Sequence, residues 1–289
     1  MEIIKNIVLE RVNKKPILID TFFSKETIYQ PIVVFCHGYK GFKDWGAWDL
    51  MAEAIAKAGF CFVKFNFSHN GGTMENPIDF PDLEAFGNNN YTKELDDLHD
   101  VLTWVKEYFT GYKNIDTNSI NLIGHSRGGG ISILKASEDN RITKLITLAS
   151  ISDFGKRTAT IGNLKEWKEA GVKYVVNGRT KQQMPHYYQF YTDFKQNEVR
   201  LNIKSAEEKL TIPHLIIHGD NDTSISINEA KELYEWNSKN ELAVIKGADH
   251  VFNVKHPWNS TALSTQLENV VEVILAFLCS DKKSIIPRE

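Results

Sequence analysis

The chain has 289 residues, 42% hydrophobic and 25% charged, an ordinary globular composition that suits two small domains or one large α/β domain. At this length roughly three quarters of the unfolded surface can be buried, so neither disulfides nor metals are needed for stability. The formal net charge of −3 gives no reason to expect nucleic acid or an anionic membrane as partner.

Along the chain, Ile3, Ile7 and Leu9, then Ile17 and Ile19, alternate with polar residues about a turn at Asn13-Lys14-Lys15, predicting an antiparallel hairpin. The start of the sequence carries an early acid and no long apolar run, so no signal peptide is read there. The pattern changes at Ile32–Cys36, a continuous apolar run of the kind buried on both faces of a parallel sheet. Phe60–Phe65, Ile120–Ile123, Leu145–Leu148, His214–Ile217 and Leu242–Ile245 repeat it. Helical patterns fall between these runs. Trp48, Ala52, Ile55 and Ala58 mark one apolar face ended by Gly59, and Leu95, Leu98, Leu102, Val105 and Phe109 mark another. Strands alternating with helices predict right-handed crossovers and a mostly parallel central sheet flanked by helices. The three cysteines, Cys36, Cys61 and Cys279, lie in apolar runs and read as reduced core residues, which together with the rest predicts a cytoplasmic protein. The run Val270–Cys279 is too short to span a bilayer.

One region breaks the alternation. Residues 153–210 are rich in aromatics and are read as a cap inserted into a single domain covering 1–289. Within it, Asn177-Gly178 between β-prone residues predicts a type I′ hairpin, and Ser205-Ala206-Glu207-Glu208 resembles a capping box. Phe154, Trp167, Tyr174, Tyr187, Tyr188, Phe190, Tyr191 and Phe194 either line a pocket or pack the cap onto the core, and packing is the default for any one of them.

Chemistry concentrates at Gly124-His125-Ser126-Arg127-Gly128, a G-x-S-x-G pattern placed directly after a strand and before a helix. A sharp strand-to-helix turn lifts the serine hydroxyl above the sheet, and the small residues two positions to either side let backbones approach. The hydroxyl needs a base, and the base an orienting acid, both following the serine in chain order. After the His214–Ile217 run come Asp220 and Asp222; after Leu242–Ile245 comes His250. Of the nine histidines, His250 alone combines that order with a loop position beyond a core strand. No HExxH or CxxC spacing is present, so neither a metal nor another cofactor is expected.

With these residues the chain resembles α/β-hydrolases of the esterase, lipase and S9-type peptidase kind, from His37-Gly38 through the serine turn and Gly219-x-x-Asp222 to Gly247-x-x-His250. The resemblance implies an α/β-hydrolase fold and selects Asp222 over Asp220, leaving Asp220 as a turn former. It also places an oxyanion hole at two backbone N–H groups, that of Arg127, after the nucleophile, and that of Tyr39. The Arg127 guanidinium then either pairs with a core carboxylate or meets an acidic substrate group. The expected function is a serine hydrolase cleaving small carboxylic esters through an acyl-enzyme, with Ser126, Asp222 and His250 as catalytic residues. A peptidase, amidase or thioesterase would use the same residues, and a catalytically silent binding protein is the alternative of another class.

Overall fold

The computed structural model describes residues 1–280; residues 281–289 of the expected domain lie outside them. The chain opens with the hairpin of β1 (Glu2–Leu9) and β2 (Ile17–Phe23), paired antiparallel. Every residue of β2 is buried, Asp20 and Thr21 included, so the polar positions read from alternation do not face water. Asp20 is tolerated because the ammonium groups of Lys43 and Lys64 reach its carboxylate at 2.9 and 2.8 Å.

Then follow β3 (Gln30–Cys36), α1 (Trp48–Lys57), β4 (Cys61–Phe65), α2 (Leu83–Gly87), α3 (Tyr91–Tyr108), β5 (Ile115–His125), α4 (Arg127–Glu138) and β6 (Ile142–Leu148). The buried face of α1 is Trp48, Met51, Ala52, Ile55 and Ala56; Ala58 caps the helix and is exposed, and Gly59 follows at φ +93°. Between β6 and the next sheet strand lie α5 (Phe154–Ala159), α6 (Leu164–Ala170), β7 (Val172–Val176), β8 (Gln183–Tyr187), α7 (Gln189–Gln196) and α8 (Ile203–Lys209). The chain ends with β9 (His214–Gly219), α9 (Ile227–Trp236), β10 (Glu241–Ile245) and α10 (Thr265–Leu278).

Eight strands form one sheet in the order β1-β2-β4-β3-β5-β6-β9-β10. It is parallel from β4 to β10, with β1 and β2 added antiparallel at one edge. Alternate residues of the central strands feed two separate cores. Ile32, Val34 and Leu122 face one, with α3 and α4; Val33, Phe35 and Ile123 face the other, with α1 and α10. Burial on both faces is why these strands read as unbroken apolar runs. At the far edge β10 is half-exposed, with Val244 at 48%. Cys36 and Cys61 are buried free thiols, and Cys279 is also unpaired. Among the described residues no helix is long and apolar enough to cross a membrane.

Two local expectations are corrected in the segment between β6 and β9. The hairpin of β7 and β8 is real, but its register pairs Val176 with Gln183, so the loop holds residues 177–182 and is not a two-residue type I′ turn. The Asn177 side chain accepts from the N–H groups of Arg179 and Thr180 at 2.9 and 3.2 Å, and the left-handed residue is Lys181, at φ +62°. Asn177 thus closes its own turn with its side chain, which competes with the turn that Asn-Gly favours. Likewise α8 starts before Ser205. Asn202 is its N-cap, accepting from the Ser205 N–H at 2.8 Å, so Ser205 sits inside the first turn.

Candidate active site

The site forms where β5 ends. Ser126 stands between β5 and α4 with φ +55° and ψ −119°, a conformation costing a non-glycine residue about 1–3 kcal/mol. Its N–H donates to Leu148 O at 2.9 Å, and its carbonyl accepts from Gly129 N at 3.0 Å, so neighbouring elements hold the turn from both ends. Close packing beneath it demands glycine: a Cβ on Gly128 would lie 2.5 Å from the carbonyl oxygens of both Cys36 and His37. The serine is thereby pressed up at the C-terminal edge of the sheet, where open α/β sheets bind ligands.

The loops after β9 and β10 close over it. Asp222 Oδ1 accepts from the N–H groups of Ser224 and Ile225 at 2.8 and 2.9 Å, while Oδ2 lies 2.8 Å from His250 Nδ1. That bond makes Nδ1 the protonated nitrogen and leaves Nε2 as an acceptor, 3.1 Å from Ser126 Oγ. Burial alone would raise the Asp222 pKa, but hydrogen bonds from His218 and His250 hold it below the usual carboxylate range. Asp220 points elsewhere and accepts from Gly247 N at 2.6 Å, tying the two loops together.

Two further histidines brace this arrangement. His218 Nε2 donates to Ile225 O at 3.0 Å and lies 3.3 Å from Asp222 Oδ2. It was passed over in the sequence because it precedes the acid; the usable signal is its spacing of four from Asp222 across a turn. His125 Nε2 donates to the His250 carbonyl at 2.9 Å, fixing the loop that carries His250. Burial, followed by the nearby His250, lowers the His125 pKa to about 3, so it stays neutral.

Arg127 opens α4, so its N–H has no partner within the helix. Tyr39 is the second residue of a turn closed by Gly41 N–H and Gly38 O at 3.0 Å. Both line a cavity of about 340 Å³ with Ser126 and His250. The Arg127 guanidinium lies 3.5 Å from Glu94 Oε1 and 4.3 Å from the Tyr39 ring centre, with Tyr91 and Phe190 also around it. The lining also includes Ile151, Arg157, Thr160, Ile161 and Val175, none of which the sequence marks as site residues. The eight aromatics named there do not line it; Phe154, Trp167, Phe190 and Phe194 are buried in packing. A second cavity of about 150 Å³, walled by Trp45, Trp48 and His125, also reaches Ser126 and His250.

Three carboxylates, Asp20, Asp44 and Asp49, bring oxygens within 4.8 Å of one another. Lysine ammonium groups fill the space between them, Lys64 Nζ lying 2.8, 2.6 and 2.7 Å from the three in turn. The cluster is an ion-pair network beneath β2, away from Ser126.

A family model described as alpha/beta hydrolase fold matches residues 31–202, and the chain belongs to that family. Solved structures agree on the fold. Est1E from Butyrivibrio proteoclasticus superimposes with a TM-score of 0.69 at 16% identity, covering 95% of this chain and 97% of that one. The esterase domain of a Rhodothermus marinus protein gives 0.64 at 17% identity, covering 96% and 98%. An uncharacterized 31.7 kDa Escherichia coli protein from the traX-finO intergenic region is 25% identical over 126 residues, 44% of this chain and 39% of that protein. The match thus spans well under half of that relative. The family match and these neighbours agree on the alpha/beta hydrolase fold.

Proposed function

We propose that the protein is a serine hydrolase that cleaves carboxylic esters of small molecules through an acyl-enzyme. The observation that carries this reading is the continuous relay from Ser126 Oγ through His250 to Asp222, at 3.1 and 2.8 Å, facing a cavity. In the first step His250 Nε2 takes the Ser126 proton as Oγ attacks the ester carbon, and Asp222 stabilises the imidazolium that forms. The resulting oxyanion is met by the N–H groups of Tyr39 and Arg127, donors of a type each worth about 3 kcal/mol. Collapse breaks the bond to the alcohol, which leaves with the proton from His250. Water then gives a proton to His250 and attacks the acyl carbon, and the acid departs as the proton returns to Ser126.

The neighbour named as an esterase domain supports the ester over other acyl substrates, and Est1E has been solved with ferulic acid bound. A fluorophosphonate probe should label the wild type and not Ser126→Ala; persistent labelling of the variant would rule out Ser126 as nucleophile. p-Nitrophenyl esters should turn over and aminoacyl anilides should not. Faster cleavage of the anilides would replace the esterase reading with that of a peptidase.

A further inference from the structure

We infer that Lys40 is an anion subsite of the Ser126 cleft and that the preferred substrates are esters bearing a carboxylate within reach of it. This deepens the ester-hydrolase reading and rests on it. Lys40 lines both cavities that open at Ser126, and no carboxylate lines either of them. The larger cavity adds two more cations, Arg127 and Arg157, but each of those has an acid behind it, Glu94 and Glu229. Lys40 has none. Its Nζ makes no hydrogen bond or ion pair with the described residues and rests 4.9 Å over the ring of Tyr39.

The backbone makes the placement harder to read as incidental. Lys40 is the third residue of the Gly38–Gly41 turn and has φ +54°, where turn chemistry favours glycine or asparagine. A long cationic side chain in that strained position gains no hydrogen bond or ion pair from it, only the face of the Tyr39 ring. What it gains is a half-buried post beside Ser126, one residue after the Tyr39 N–H. Burial, then the charge of Arg127, lowers the Lys40 pKa, so the ammonium is under-compensated where it stands and an arriving carboxylate would relieve it. With three cations around the larger cavity and one at the smaller, the carboxylate belongs to whichever half of the ester enters the larger one.

The test compares two ester pairs on the full chain. p-Nitrophenyl hydrogen adipate against p-nitrophenyl hexanoate puts the acid on the acyl half; 4-carboxyphenyl hexanoate against phenyl hexanoate puts it on the leaving group. For one pair, wild-type kcat/KM should favour the acid-bearing ester, and Lys40→Met should cut that acid-to-neutral ratio about tenfold, the effect of one charged hydrogen bond. Lys40→Arg should keep most of it, which a purely conformational role for the turn would not produce. A ratio unchanged by Lys40→Met, or no preference for the acid in either pair, overturns the subsite while leaving the hydrolase reading intact. Labelling of Ser126 without turnover of any of the four esters overturns it too. Failure of Ser126 to label, with no turnover, would instead remove the hydrolase reading and the subsite with it.

Discussion

At the scale of single residues, two aspartates two positions apart are separated by what each touches. Asp222 meets His250 and His218 with one oxygen and two backbone N–H groups with the other, so it is fully engaged in orienting the imidazole. Asp220 accepts from Gly247 N and touches neither histidine. Replacing Asp222 by Asn puts an amide where Nδ1–H needs an acceptor and favours the wrong tautomer, so kcat for a p-nitrophenyl ester should fall by about four orders of magnitude. Asp220→Asn keeps an oxygen for Gly247 and should change kcat far less. Should the two losses come out reversed, the orienting role belongs to Asp220. The acid after a core strand was legible in the sequence; that a histidine four residues earlier would share it was not. His218 reaches Asp222 because the chain turns back through Ile225, and the spacing of four that allows it does not by itself tell a contact from a coincidence. Lys40 was equally silent, since a lysine in a loop is ordinarily a solvated one and only the fold shows its lack of a partner.

At the scale of elements, the strand-turn-helix from β5 to α4 is the part most fully written into the sequence. Its glycines answer to contacts from other strands: a side chain at Gly128 would meet the end of β3. Gly128→Ala should therefore push α4 away from β3 and misplace Ser126, cutting fluorophosphonate labelling at least about a hundredfold, the scale of a 1 Å error in a reacting group. An alanine variant that labels at the wild-type rate would mean the turn tolerates the shift. Where sequence reading failed, a side chain outside the pattern had taken over a backbone group. Asn177 closed its own loop from within the predicted turn, and Asn202 capped α8 three residues before the predicted Ser205, because one Asn oxygen can satisfy amide groups two or three residues on. Buried strand runs survived this kind of error because burial on both faces leaves nothing for a local polar group to compete for.

At the scale of the whole molecule, the buried histidines set how the fold responds to acid. His37, His125 and His186 are 4%, 7% and 3% exposed, and burial is the largest cause lowering their pKa values to about 4, about 3 and about 3. In the unfolded chain each returns to about 6.5. A group whose folded pKa is depressed below its unfolded value binds protons in the unfolded state first, so stability falls as pH drops below about 6.5 and stops falling only below the folded pKa. Carboxylates held low by ion pairs, such as Asp44 and Asp139, weaken the fold mainly below about pH 4; above it His69, lowered by burial to about 4, adds to the histidine effect, while Glu94 and Asp97, raised by burial, oppose it. Between pH 7 and pH 5 each buried histidine should remove about 2 kcal/mol, and three together approach the whole stability of a marginal domain, about 5–15 kcal/mol. His186 offers the cleanest test, since its nitrogens meet only Tyr39 OH at 2.9 Å and Met184 O at 3.2 Å, partners a glutamine can also satisfy. Urea unfolding of His186→Gln should start from lower stability at pH 7 yet lose about 2 kcal/mol less than the wild type on going to pH 5. Parallel losses in the two proteins would mean that His186 is protonated in the folded state and that other groups drive the acid response.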